Sequence, residues 1–207
     1  MFGDITRATL TLVFAATTYL MLPSPSVAAS DMATFVSVGA ETSVPYGWVE
    51  FCARYAGECP DDDRAAQPVE LTPAIMRKIQ RVNATVNKSI EPVSDMDHWG
   101  VVDQWDYPTD GKGDCEDYAL LKRRMLLDQG FPRQALLMTV VKEPNGDGHA
   151  ILTVKTDRGE YVLDNLVDEV KAWNKTSYRF VKRQSEQNPN VWVSIGAPTS
   201  APAYVSK

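Results

Sequence analysis

A cysteine, a histidine and an aspartate in this sequence have the residue types that nucleophilic catalysis requires. Cys115 follows a glycine-containing loop at the predicted start of a helix, where the helix dipole and unpaired backbone N–H groups favour a thiolate. The same N–H groups could stabilise an oxyanion. His149 could take the thiol proton and pass it to a leaving group, and Asp164 could orient the imidazole. These roles predict acyl transfer at a cysteine nucleophile.

Two other side chains could fill the base and orienting roles. His98 is the other histidine, but it lies in an irregular loop with no strand to orient it, so His149 is the preferred base. Asn165 could replace Asp164 as the orienting group. A zinc site at Cys115 and His149 is disfavoured, because the sequence offers no further soft ligands for it.

The pairing of two predicted strands decides whether His149 and Asp164 can meet. Residues 149–154 and 160–164 have the pattern of a β-hairpin. If residues 155–158 form a four-residue loop, Asp164 lies directly opposite His149, with Cβ atoms on the order of 5 Å apart. A three-residue loop would shift the partner and weaken this argument.

Four acidic residues near the cysteine could bind a metal. Asp114, Glu116 and Asp117 place negative charge beside a thiol that must lose a proton, and like charge raises a thiol pKa. A divalent cation would offset that charge, and oxygen ligands suit calcium. Helix capping explains Asp114 and Asp117 equally well, whereas Glu116 is less needed for a cap. Asp95 begins an Asp-x-Asp pair upstream, without the complete EF-hand pattern.

The elements around these residues predict an α+β domain. Thr72 and Pro73 are typical of a helix start, and apolar residues then recur every three or four positions. Helices followed by strands favour helices packed on one face of an antiparallel sheet. Residues 30–70 are predicted to form an irregular N-terminal arm. The predicted elements are helices over residues 73–90 and 115–129 and strands over 135–142, 149–154, 160–164, 177–182 and 191–195.

The N-terminal sequence predicts export from the cytoplasm. Arg7 precedes an apolar run over residues 8–22 that is short for a bilayer span, and small residues follow it. Residues 1–29 are therefore predicted to be a signal peptide, cleaved after Ala28 or Ala29. An uncleaved membrane anchor is the alternative.

Export to an oxidising compartment would allow disulfide bonds among the three cysteines. Cys52 and Cys59 flank a turn-prone segment and can close a small loop. The simplest assignment is a Cys52–Cys59 disulfide that leaves Cys115 free.

The overall composition is that of a globular protein that does not bind nucleic acid. The chain has 207 residues, of which 44% are hydrophobic and 23% charged, enough for one domain with a core. Its formal net charge of -6 and its lack of a large Lys/Arg cluster disfavour phosphate contacts.

The residues around the three candidates resemble a known family, the bacterial transglutaminase-like cysteine peptidases of the LapG-like type. The shared motifs are Gly113-Asp114-Cys115-Glu116-Asp117-Tyr118-Ala119, Gly148-His149-Ala150 and Val162-Leu163-Asp164-Asn165, with Trp105, Pro108 and the Cys52, Cys59 pair upstream. The resemblance implies a papain-like, transglutaminase-like core over residues 71–207 with a Cys115, His149, Asp164 triad. It also implies calcium binding at Asp114 and Glu116, with Asp117 and Asp95 as further ligands.

The resemblance also implies a substrate and a setting. Members of this type cut a large surface adhesin in the periplasm, under the control of an inner-membrane receptor for cyclic di-GMP. The expectation is therefore a periplasmic, Ca2+-dependent cysteine endopeptidase that cuts an adhesin or other envelope protein through a thioester acyl-enzyme. The alternatives are a transglutaminase or acyltransferase with the same triad, and a calcium-stabilised binding module without catalysis.

Overall fold

The computed structural model describes Met1, Gly3, residues 35–61 and 63–196, Pro202 and Val205. The predicted signal peptide over residues 1–29 falls outside these ranges except for Met1 and Gly3, so the export prediction stays a prediction. Within the described part of the chain, no helix combines the length and apolar character needed to cross a bilayer.

The described residues form a mixture of helices and strands. The helices are Tyr46–Arg54 (α1), Pro73–Ser89 (α2), Asp95–His98 (α3) and Cys115–Asp128 (α4), with 3-10 turns at Ala56–Glu58, Arg133–Ala135 and Trp173–Lys175. The strands are Val38–Thr42 (β1), Glu91–Pro92 (β2), Lys112–Gly113 (β3), Leu136–Lys142 (β4), Gly148–Thr156 (β5), Gly159–Leu163 (β6), Lys171–Ala172 (β7), Arg179–Gln184 (β8) and Trp192–Ile195 (β9).

One antiparallel sheet carries most of the strands. Its order is β1-β9-β8-β4-β5-β6-β7, and β2 and β3 form a separate parallel pair. The long helices α2 and α4 pack on each other, and α4 packs on the central strand β5. The predicted α+β architecture with an antiparallel sheet is therefore confirmed.

Helix α2 begins and packs as its sequence predicts. The Thr72 hydroxyl accepts the Ile75 N–H at 3.2 Å, and proline occupies the first helical position. Ile79, Val82 and Val86 form the buried stripe. This stripe fixes α2 against α4, so the polar residues beside it face the loop that follows β6.

Helix α4 is buried along most of its length. It ends before Gly130, whose positive φ of 85° suits the residue that terminates a helix. Leu120 and Leu126 enter the main core, and the buried Arg123 guanidinium lies 3.5 Å from the Glu58 carboxylate. Burial on several sides leaves α4 little freedom to move, which suits a helix that carries the candidate nucleophile.

The segment predicted to be an irregular arm contains regular structure. Strand β1 pairs with β9, and α1 buries Trp48 and Phe51, so the irregular prediction is wrong for residues 38–42 and 46–54. Residues 30–34 and 62 of the predicted arm lie outside the described residues. Both elements are short, and the strand partner is remote in sequence, so no local period shows them. The Cys52–Cys59 disulfide joins α1 to the following turn, as predicted.

The β5–β6 hairpin differs from its predicted register. Thr156 pairs with Gly159, so the loop has two residues and not four. Leu152 pairs with Leu163, which places Asp164 diagonal to His149 and not directly opposite. Since side chains alternate with a period of two, a two-residue shift keeps both side chains on the same face.

Candidate active site

Cys115 is the first residue of α4, and its thiol is buried and not disulfide-bonded. The sulfur accepts the Ala150 backbone N–H at 3.4 Å, which places it beside the residue that follows His149. First-turn N–H groups of α4 have no intrahelical acceptor and lie next to this sulfur. Burial, followed by the charges of Glu116 and Asp114, raises the pKa of the Cys115 thiol well above its usual value. Burial, reinforced by these carboxylates, therefore raises the pKa of the thiol, and a bound cation would offset the part that the carboxylates contribute.

His149 and Asp164 form a buried pair. His149, the second residue of β5, donates from Nε2 to Oδ1 of Asp164, the residue just after β6, at 2.9 Å. The other imidazole nitrogen, Nδ1, is buried and has no hydrogen-bond partner among the described residues. Nδ1 is therefore the nitrogen available to the Cys115 thiol. The structure thus brings Cys115, His149 and Asp164 together.

The Asp164 carboxylate accepts further hydrogen bonds. Its Oδ1 also accepts the Leu166 N–H at 3.0 Å, and its Oδ2 accepts the Tyr178 hydroxyl at 2.5 Å. Burial alone would raise the pKa of Asp164, but the His149 and Tyr178 contacts outweigh it and lower the pKa below its ordinary value. Asp164 is therefore held ionised and fixed in orientation.

Two asparagines of α2 fix the Asp164 backbone. Asn83 Oδ1 accepts the Asp164 N–H at 3.1 Å, and Asn87 Nδ2 donates to the Asp164 carbonyl at 2.9 Å. Asn83 Nδ2 also donates to the carbonyls of Val167 and Asp168 at 3.1 and 3.0 Å. Helix α2 therefore positions the loop that carries the candidate orienting group.

The two alternative residues have other surroundings. His98 Nε2 contacts Asp110 Oδ2 at 2.9 Å, and its ring stacks on Trp99 with centroids 3.8 Å apart. Asn165 has its Oδ1 buried without a hydrogen-bond partner in the described part of the chain, while its neighbour Asp164 holds His149. The geometry therefore favours His149 and Asp164 over these alternatives.

A residue far along the chain contacts the thiol. The Cys115 Sγ donates to the Val205 carbonyl at 2.6 Å and lies 3.1 Å from Glu116 Oε2. Val205 is only 4% exposed. Sequence reasoning missed this contact, since nothing in the composition around Val205 marks it.

Five carboxylates gather beside the nucleophile. Ligand atoms of Asp95, Asp103 and Glu116 lie within 4.8 Å of one another, and so do those of Asp95, Asp114 and Asp117. The four residues predicted as metal ligands therefore meet in one cluster. Asp103 is an addition that the sequence analysis did not select, although it lies in the same acidic loop as Asp95.

Crowding shifts the protonation of these acids. Burial is the largest cause throughout, and neighbouring carboxylates such as Asp114 add to it. The pKa of Asp95 rises to about 6 and that of Asp117 to about 9. The pKa of Asp103 is raised, and that of Glu116 is raised well above its usual value. Gathering these carboxylates therefore costs free energy that a bound cation would offset.

Capping does not account for the cluster. Asp114 occupies the N-cap position of α4, but its side chain makes no capping hydrogen bond and accepts the Asp95 N–H at 3.2 Å. Asp117 does accept the Asp114 N–H, the contact expected of a third-position acid. Glu116 is fully buried, and its Oε1 has no hydrogen-bond partner among the residues described. A set of oxygen donors this close together fits calcium, which takes six to eight oxygen ligands at about 2.3–2.6 Å.

Known structures share this fold. The calcium-bound form of Legionella pneumophila LapG is similar over 64% of this chain and 76% of its own, at 22% identity and a TM-score of 0.50. A second structure of Legionella pneumophila LapG is 25% identical over 60% of this chain and 71% of its own, at a TM-score of 0.49. The first likeness identifies the fold as transglutaminase-like. No curated protein matches the chain.

The sequence itself matches a family of known activity. Residues 38–200 match the bacterial transglutaminase-like cysteine proteinases, BTLCP, a match that extends over most of the chain. The buried cysteine at a helix start, next to an imidazole with a carboxylate partner, is the arrangement that a cysteine peptidase requires. The chain is thus a cysteine peptidase and belongs to the bacterial transglutaminase-like cysteine proteinase family.

Proposed function

We propose that the protein is an exported, calcium-dependent cysteine endopeptidase with Cys115, His149 and Asp164 as its triad. One observation carries the proposal. The His149–Asp164 hydrogen bond of 2.9 Å leaves Nδ1 available, and the Ala150 N–H holds the Cys115 sulfur beside the same strand. These contacts support the assignment of Cys115 as nucleophile, His149 as base and Asp164 as orienting group.

The catalytic steps follow from these positions. His149 Nδ1 takes the Cys115 proton, and the thiolate attacks the carbonyl carbon of the scissile peptide. First-turn N–H groups of α4 stabilise the oxyanion, and the imidazolium gives its proton to the leaving amine nitrogen as the C–N bond breaks. The product is a thioester on Cys115. His149 then takes a proton from water, whose hydroxide attacks the thioester and releases a carboxylate and the thiol.

The acidic cluster supports calcium as the cofactor. Asp95, Asp103, Asp114, Glu116 and Asp117 would supply its oxygen ligands. Burial raises the pKa of the neighbouring thiol, and the charges of Glu116 and Asp114 add to that rise; bound calcium would offset these charges. The Legionella structure that shares the fold is a calcium-bound one, which agrees with this assignment.

The proposed compartment is the periplasm, and the proposed substrate is a surface adhesin or another envelope protein. The apolar N-terminal run of the sequence and the Cys52–Cys59 disulfide support export to an oxidising compartment. An inner-membrane receptor is the proposed regulator, by the same resemblance that suggests the adhesin.

Cleavage by purified protein tests the triad. Envelope proteins would be incubated with the enzyme and calcium, and new N-termini would be counted by mass spectrometry. His149→Ala and Cys115→Ala are expected to lower the cleavage rate by roughly 10³-fold or more. His98→Ala is the matched control and should keep activity, because His98 contacts Asp110 and not the triad. A His149→Ala enzyme as active as the His98→Ala enzyme would contradict the assignment.

The acceptor of the acyl group needs a separate measurement. A peptidase passes the acyl group to water and creates new carboxylates, whereas a transglutaminase would pass it to an amine. A labelled amine added to the same reaction should remain free. Its covalent incorporation at a rate above that of cleavage would contradict the peptidase proposal.

A further inference from the structure

The Val205 backbone is held at the candidate active site by both of its polar groups. The Val205 carbonyl accepts the Cys115 thiol at 2.6 Å, and the Val205 N–H donates to the Asp103 carboxylate. A peptide bound in an extended substrate cleft is recognised in this way, through main-chain hydrogen bonds that do not depend on its sequence.

The Val205 side chain adds an apolar contact. It is 4% exposed and belongs to the same hydrophobic cluster as Cys115 and Trp105. Peptidases often bury one side chain of the substrate next to the nucleophile, and the Val205 side chain is buried in the same way. The surroundings of Cys115 therefore bury one branched aliphatic side chain.

This contact changes the state of the nucleophile. The thiol donates its proton to the Val205 carbonyl, while His149 Nδ1, the atom that should receive it, has no partner among the described residues. A thiol that donates to a carbonyl oxygen is not the thiolate that attacks a carbonyl carbon. The contact with Val205 therefore replaces the step that would activate Cys115.

We propose that Val205 is an intramolecular pseudosubstrate residue, which occupies the place of a substrate residue beside Cys115 and holds the peptidase inactive until it is displaced. This inference rests on the proposed function, because it names the regulation and the side-chain preference of the same site. A tethered segment has an effective concentration on the order of millimolar, so modest contacts are enough to keep the cleft filled. A protein substrate or a partner that binds the segment can then displace it.

The reactivity of Cys115 tests the proposal without a protein substrate. Iodoacetamide alkylation of the full-length protein would be followed by mass spectrometry, with and without calcium. Val205→Asp removes the apolar burial and places a charge near the acidic cluster. Alkylation should accelerate by about tenfold or more. Burial of a valine side chain shifts the equilibrium between bound and displaced Val205 by about tenfold or more. Val49→Asp is the matched control, since Val49 is 50% exposed on α1 and should leave the rate unchanged.

A peptide added in trans gives a second, independent measurement. A synthetic peptide of residues 199–207 should slow the alkylation of the Val205→Asp protein, and the same peptide with Asp at position 205 should not. Equal alkylation rates for wild type, Val205→Asp and Val49→Asp would overturn the proposal, as would a peptide without effect. Loss of Cys115-dependent proteolysis from every variant would refute the proposed function, and the alkylation rates would still decide the role of Val205.

Discussion

Tyr178 contacts both the base and the orienting group of the candidate triad. Its hydroxyl donates to Asp164 Oδ2 at 2.5 Å, and its ring lies tilted against the His149 ring with centroids 5.4 Å apart. Burial, followed by the nearby Asp164 carboxylate, raises the pKa of Tyr178, so the phenol stays protonated as a donor. The Tyr178 hydroxyl therefore positions the carboxylate that holds His149.

Tyr178→Phe separates the hydrogen bond from the packing. The ring remains against His149, but Asp164 Oδ2 loses a donor, so the carboxylate can rotate away from Nε2. We expect a loss of about 1–2 kcal/mol of unfolding free energy and a fall in kcat of roughly tenfold with little change in KM. Steady-state kinetics and urea unfolding measure the two effects.

A second tyrosine supplies the control for this substitution. Tyr118→Phe removes a buried hydrogen bond of 2.7 Å to the Ile90 carbonyl, away from Asp164. It should cost similar stability and leave kcat near that of the wild type. If both variants lost kcat equally, the Tyr178 hydroxyl would be no more than a structural contact.

Asn83 is the side chain on α2 that most constrains the Asp164 loop. It is fully buried, and its amide makes three hydrogen bonds, to the backbones of Asp164, Val167 and Asp168. Asn83→Ala leaves those groups unsatisfied, so we expect a loss of about 2–4 kcal/mol of unfolding free energy. Hydrogen exchange should speed up first at the Asp164 and Leu166 amides, because those amides depend on the position of the loop.

A second asparagine on the same helix is the comparison for Asn83. Asn87 bonds the Asp164 carbonyl and a solvent-exposed carboxylate of Asp168, so water can replace part of what it supplies. Asn87→Ala should therefore cost clearly less stability than Asn83→Ala. Equal losses from the two substitutions would mean that the buried amide of Asn83 contributes no more to the free energy of unfolding than the amide of Asn87.

The candidate catalytic residues could be selected from the sequence because each carries a local signal. Cys115 lies at a helix start marked by glycine and aspartate, and His149 and Asp164 fall in segments whose sequence predicts strands. The predicted hairpin register was wrong by two residues. His149 and Asp164 still lie on the same face of the sheet, because side chains alternate along a strand with a period of two. Sequence reasoning thus gave the right face with the wrong partner.

Contacts between remote segments could not be predicted in the same way. Asp103 joins the acidic cluster only because the loop after α3 folds back onto α4, and Val205 reaches Cys115 from another part of the chain. Strand β1 depends on β9, which lies at the other end of the domain. None of these residues has a local pattern, because the free energy that holds each one comes from tertiary packing.

Glu116 tests whether the acidic cluster binds calcium. A calcium ion held by the folded state would raise the melting temperature of the wild type, and EGTA would remove that gain. Glu116→Gln keeps the shape of the side chain and removes one charged ligand. We expect a smaller rise with calcium and no loss of stability in EGTA. Burial, followed by repulsion from Asp114 and Asp117, raises the pKa of Glu116, and a neutral Gln side chain avoids both costs. Differential scanning calorimetry measures both.

An exposed glutamate supplies the control for this charge change. Glu91 is exposed on β2, and Glu91→Gln should leave the calcium-dependent rise intact. A wild-type melting temperature that is the same in calcium and in EGTA would show that the cluster does not hold the ion.

The raised pKa values of the acids predict how stability depends on pH. Burial is the largest cause of the rise from 3.8 to about 6 for Asp95 and to about 9 for Asp117. A carboxyl group whose pKa is higher in the folded state binds more protons there, so the free energy of unfolding falls as pH rises between the two pKa values. In EGTA, the melting temperature should therefore fall from about pH 5 to about pH 7, below the range in which the buried Lys122, whose pKa burial lowers to about 7, has the opposite effect. Saturating calcium should flatten that fall, because the ion stabilises the charged carboxylates.

Removing one of these acids should weaken the pH dependence. In Asp95→Asn the group with the pKa of about 6 no longer titrates, so the fall in melting temperature near that pH should become shallower in EGTA. Asp128→Asn is a suitable control, because Asp128 is exposed at the end of α4 and pairs only with the neighbouring Arg124 among the residues described. A wild-type melting temperature that rises with pH in EGTA would mean that the buried acids are stabilised in their charged form by the protein itself. Calcium would then have no repulsion to relieve, and its proposed effect on the Cys115 thiol would lose its physical basis.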